Sequence, residues 1–125
     1  MLVDFDQWIS EEFGRGPFTA LILVLEIGER TVEAVASTYL HVLGNEIDWP
    51  TMKGLLSGAP HRWNAAAVFA SRDETGGPVP DRLAKLRLAD TEERVRADRL
   101  ELNRGAFFNS DGRRMTVEEE DATRH

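Results

Sequence analysis

Apolar residues in the first third of the chain recur at helical spacing. Phe5, Ile9 and Phe13 fall four apart on one face, Asp4 and Gln7 sit at capping-box spacing, and Val3 and Trp8 take the hydrophobic-staple positions. This predicts a helix from Phe5 to Phe13, closed by a left-handed Gly14. From Pro17 onward, Leu21, Val24, Leu25, Val32, Val35, Ala36, Tyr39, Leu40 and Leu43 trace one 3.6-residue stripe, and Glu26, Arg30, Glu33, Ser37 and His41 trace the opposite one. Pro17 suits a first turn, Glu26 and Arg30 make a favourable four-apart pair, and Gly44-Asn45 is a stop signal. The pattern predicts a helix from Pro17 to Leu43, about 40 Å long. Ile22, Leu23 and Ile27 make its first half apolar nearly all round and hence central, while Gly28 marks a close approach or a break into two helices.

The second half is more punctuated. Asp48 before Trp49-Pro50 reads as the cap of a short helix that stops at Gly58-Ala59-Pro60. Trp63 to Ala70 is readable as helix or strand: its alanines favour a helix, yet Ala67-Val68-Phe69-Ala70-Ser71 echoes Ala106-Phe107-Phe108-Asn109-Ser110, as two neighbouring strands would. Asp81 then caps a charged helical region over Arg82–Asn103, which a second capping box at Asp90–Glu93 divides in two. Phe107 to Met115, with Asp111-Gly112 at its turn, predicts a hairpin. These elements imply a mainly α fold: one domain over residues 1–117 built around a long central helix, with a small C-terminal β-hairpin and a frayed acidic tail at 118–125. The alternative is an α+β fold with a small antiparallel sheet.

Composition narrows the setting. With 125 residues, 42% of them apolar and 30% charged, the chain has the make-up of a globular protein. The absence of cysteine excludes disulfides, thiolate metal sites and a thiol nucleophile, and suits a reducing compartment. Met1 to Asp6 lacks the basic start of a secretory leader, and the longest apolar run, Phe18 to Ile27, is half of what a bilayer needs, so a cytoplasmic protein without a membrane span is expected. A net charge of −7 repels phosphate backbones and favours a partner with a basic surface.

Four groups of residues invite chemistry. Asn109, Ser110, Asp111, Gly112 and Glu118 match part of a calcium-binding loop, but Phe107 stands where the first ligand belongs, and a plain turn is the simpler reading. Glu33, Ser37 and His41, one helical turn apart, place a hydroxyl between a carboxylate and a base, although a solvated helix face has the same spacing. His41, Asp48 and His61, with Glu46, are residue types that ligate metals or small molecules, without a compact ligand motif. Trp49, half exposed beside Pro50, together with Arg94 and Arg96 in the Arg-rich region, is of the kind enriched at protein interfaces. No catalytic residue and no cofactor is assigned, and no Gly-rich phosphate loop follows a strand. The expected function is therefore a non-enzymatic protein–protein interaction or regulatory role. A small-molecule or metal-binding protein that could be an enzyme is the alternative, and a nucleic-acid-associated protein the third choice.

Overall fold

The computed structural model describes residues 3–44, 47–58 and 62–117. Its centre is a five-stranded antiparallel sheet, and this overturns the expected helical core. The segment read as one long helix is a hairpin of two strands, β1 (Phe18–Ile27) and β2 (Val32–Val42), and Gly28 opens its turn by donating its N–H to the Thr31 carbonyl at 2.9 Å. The strands stand in the order β2-β1-β3-β4-β5, with β3 at Ala65–Ser71, β4 at Ala106–Asn109 and β5 at Arg114–Met115. The fold is α+β.

Two features made a hairpin look helical. Phe18 to Leu25 are buried without interruption because helices cover both faces of β1, so the two-residue alternation of a half-buried strand is missing. In β2 the register with β1 slips between Val24 and Leu25, placing Val24 opposite Ala36 and Leu25 opposite Ala34. The bulge at Val35 sets Val35 and Ala36 against the same layer and breaks the alternation into apparent three- and four-residue steps. The β-branched residues Thr19, Ile22, Val24, Ile27, Thr31, Val32, Val35, Thr38 and Val42 pointed to strands, because a branched Cβ packs well on a pleated surface.

Two helices, α1 (Asp4–Phe13) and α2 (Trp49–Leu56), cover one face of the sheet, and α3 (Asp81–Ala97) with the 3-10 segment Arg99–Arg104 covers the other. Neighbouring residues of β1 part accordingly: Ile22 and Val24 join Phe5, Met52 and Phe108, whereas Leu21, Leu23 and Leu25 join Leu88, Val95 and Phe107. The alanines of β3 lie opposite the phenylalanines of β4, Ala66 against Phe108 and Ala67 against Phe107, so small residues make room for large ones. The segment readable as helix or strand is thus strand β3, and the strand alternative, in which the two similar segments lie side by side, is the one observed.

Local capping departs from the sequence reading in places. Asp48 caps α2 as expected, its Oδ1 accepting the Thr51 N–H at 2.9 Å. Asp4 makes no capping bond for α1; it accepts the Arg114 N–H at 2.8 Å, and Phe5 donates its N–H to the Gly112 carbonyl at 3.0 Å, which joins the first helix to the C-terminal hairpin. Gly14 is right-handed, and the left-handed residue after α1 is Gly16 at φ +114°. The third helix runs unbroken through Asp90–Glu93 and ends at Asp98, whose carboxylate caps the 3-10 segment through Leu100 N–H. The β4–β5 hairpin forms with Gly112 left-handed at φ +78°. The tail at 118–125 lies outside the described residues.

Candidate functional site

Pairing on one side only makes β2 the edge of the sheet, and among the described residues its outer backbone meets no strand. Its side chains stand on two faces. Towards α3 lie Ser37, Tyr39 and His41; towards α2 lie Ala36, Thr38 and Leu40.

On the α3 side, His41 is the middle of a hydrogen-bonded chain. Its Nε2 meets Asp81 Oδ1 at 2.7 Å, and its Nδ1 meets Thr19 Oγ1 at 2.8 Å. In the neutral ring the carboxylate accepts from Nε2–H, which makes Nδ1 an acceptor for the Thr19 hydroxyl. Thr19 Oγ1 in turn accepts the Val79 N–H at 3.0 Å. The order carboxylate, imidazole, hydroxyl is that of an acyl-transfer triad. Thr19, however, is 0% exposed with its oxygen committed to Val79, so no substrate carbonyl can approach it. The chain fastens the edge strand to its neighbour and to the start of α3.

Asp81 is the hub of this cluster. Its carboxyl is held below the usual carboxylate range, mainly by the His41 hydrogen bond and partly by the charges of His41 and Lys85. Tyr39 is raised above 10.0 by desolvation first and by the Asp81 charge second. Tyr39 is also the single tyrosine of the chain, so alkaline absorbance titration reports it alone. The expected midpoint lies above 10.0 and moves part of the way back in Asp81→Asn, because the desolvation remains. The same variant should flatten the acid limb of stability. A carboxyl whose folded pKa is depressed contributes stability above its unfolded value near 3.8, and loses it as the pH falls through the folded value. Unchanged titration and acid unfolding in Asp81→Asn would contradict this arrangement.

On the α2 side, Val24, Ala36, Thr38 and Leu40 with Leu55 and Leu56 form an apolar groove of about 310 Å³ along the edge. Leu55 is 57% exposed within it.

The residues singled out in the sequence are dispersed. Ser37 reaches Glu92 at 3.3 Å, while Glu33 stands across from Glu26 beyond the bulge, so Glu33, Ser37 and His41 do not act as one unit. Asp48 is committed to Thr51, and His61 lies outside the described residues, as does Glu46. Trp49 is 5% exposed: its ring packs on Phe5 at 5.2 Å, and its Nε1 donates to the Ser110 carbonyl at 3.2 Å. Arg94 and Arg96 are exposed and ion-paired within α3, to Asp90 at 3.2 Å and to Glu92 and Glu93 at 3.9 and 3.4 Å. Asn109 Oδ1 accepts the N–H groups of Asp111 and Arg113, so the calcium-like run is a side-chain-supported turn.

Sequence reasoning missed Thr19, Tyr39, Asp81 and Leu55 as members of a site. The β-branched content of 18–42 was the signal that would have put Tyr39 and His41 on one strand face. Among the described residues, no group of three or more His, Asp or Glu side chains is placed to hold a metal ion, and no helix is long and apolar enough to cross a membrane. Comparison with protein-family models, with curated proteins and with solved structures found no match.

Proposed function

We propose that the protein is a non-enzymatic interaction module that receives an extended segment of a basic partner protein along the outer edge of β2. The observation that carries this reading is the regular run Ala36–Val42 at the sheet edge, bordered by the apolar groove on one face and by Ser37, Tyr39 and His41 on the other. An added strand would draw affinity from main-chain hydrogen bonds and specificity from alternate side chains, apolar ones entering the groove and polar ones facing α3. Exposed edges are usually blunted by Lys or Pro, and β2 contains neither. Asp81 and Glu92 border the polar side in a chain of net charge −7, so the segment that fits is basic. That charge also disfavours a second copy of β2 and the acidic 118–125 tail as occupants. Trp49 is committed to the core in this reading, and Arg94 and Arg96 lie outside the recognition strip. No cofactor is required, and the cysteine-free composition fits action in the cytoplasm.

The test is a titration of isotope-labelled protein with a short peptide of alternating valine and lysine, followed by amide shifts and hydrogen exchange. The expected result is shift and protection concentrated on Ala36–Val42, absent with glutamate in place of lysine and weakened by Leu55→Lys, which brings a repelling charge into the groove without emptying the core. Perturbation confined to the Arg94–Arg96 face, no perturbation at all, or pairing of β2 with itself in the absence of peptide would overturn the reading.

A further inference from the structure

A second cleft, of about 340 Å³, opens on the other face of the sheet between β3, α3 and the 3-10 segment. Its apolar surface comes from Leu21, Phe69 and Val95, and its polar surface includes Arg87, Arg94 and Arg104. The carboxylates of Asp90 and Glu101 also line it, so three guanidinium groups against two carboxylates leave the lining one positive charge in excess in a chain that carries −7 overall. Its volume falls at the lower end of small-molecule sites, about 300–1,000 Å³.

The charges do not cancel. Arg94 pairs with Asp90 and Arg104 with Glu101, each on the adjacent turn of its own helical segment and each largely exposed on the Arg side. Such pairs are weak and their side chains re-aim readily. Arg87 differs. Its Nη1 donates to Ser71 Oγ at 2.7 Å and to the Arg72 carbonyl at 2.9 Å, both neutral, and among the described residues it has no carboxylate partner. Those two bonds fix the plane of the guanidinium, while among the described residues Nη2 and Nε have no hydrogen-bond partner. A held guanidinium with a free edge suits bidentate recognition of a carboxylate.

We infer that this cleft binds a small organic carboxylate with an apolar body, its head group on the free edge of Arg87 with Arg94 and Arg104 beside it, and its body on Leu21, Phe69 and Val95. The site is distinct from the β2 edge, since β1, β3, α3 and the 3-10 segment line it and β2 contributes no lining residue. An isolated oxyanion would use the arginines and leave the floor bare. A neutral apolar molecule would leave Arg87 uncompensated.

The experiment is a titration of the labelled full chain with phenylacetate, with acetate and 2-phenylethanol as the headgroup-only and body-only probes. Phenylacetate is expected to shift the amides of Ala70, Thr91 and Val95, and each half-probe to bind about tenfold or more weakly. Arg87→Gln should weaken phenylacetate by about tenfold while leaving the amide spectrum dispersed. If that variant unfolds, Arg94→Glu, which sets a repelling carboxylate at an exposed position of the cleft wall, should weaken phenylacetate by about tenfold or more on an intact fold. Absence of shifts with millimolar phenylacetate, equal binding of acetate and phenylacetate, or undiminished binding in a folded Arg87→Gln or Arg94→Glu variant would overturn the inference.

Discussion

Trp49→Ala should cost about 3–5 kcal/mol of stability, the range for removing a large aromatic from a packed interior. The indole is 5% exposed, packs on Phe5 and Phe108, and donates to the Ser110 carbonyl, which the variant leaves without its partner. Its ring also abuts Gly112, where an added Cβ would lie 2.8 Å from it. The loss therefore reaches the hairpin turn as well as α2. Urea unfolding measures it through the midpoint at unchanged slope. A loss below about 1 kcal/mol would mean that the ring is an interface anchor rather than a core member.

Arg72→Met should remove about 3 kcal/mol by a different route. At the end of β3 the guanidinium pairs with Glu12 at 2.6 Å and donates to the carbonyls of Glu12 and Gly16, both at 2.9 Å, while lying 5.1 Å from the Phe18 ring centroid. Both side chains are largely shielded, at 22% and 14% exposure, so the remaining carboxylate is left partly desolvated with no counterion. Adding Glu12→Gln to Arg72→Met should recover part of the loss. Arg72→Lys should not restore the wild-type value, because one ammonium cannot span the same three acceptors. Additive single and double variants in denaturant unfolding would contradict a coupled clamp.

Legibility followed how local each signal was. The Asp48 cap, the hairpin at Gly112 and the echo between β3 and β4 depend on residues a few positions apart, and the sequence displays them, whereas the capping box read at Asp4 does not form because its carboxylate is taken by Arg114. The β1–β2 hairpin was misread for a tertiary reason: burial on both faces of β1 and the bulge at Val35 erased the period that distinguishes strand from helix. The candidate site was legible only as far as His41, chosen for its residue type. Its partners Asp81 and Thr19 lie 40 and 22 residues away, and nothing short of the strand register brings them together. Trp49 was correctly placed at a helix start, but only the packing of α1 over β4 decides that its ring points inward.

The bonds from Phe5 to Gly112 and from Asp4 to Arg114 have a consequence for the order of assembly. They join residues 110 apart in the case of Asp4 and Arg114, so closing them spans most of the chain, a late and entropically demanding event. Helix α1 is thus among the last of the described elements to dock, since part of its resting place is a turn synthesised well after it, the Arg114 that bonds Asp4 lying 110 residues further on. Until that turn forms, the surface that will meet Phe5 and Ile9 is incomplete, and a ten-residue helix has little stability of its own. The nascent chain is therefore most exposed to misassociation just before β4 and β5 emerge.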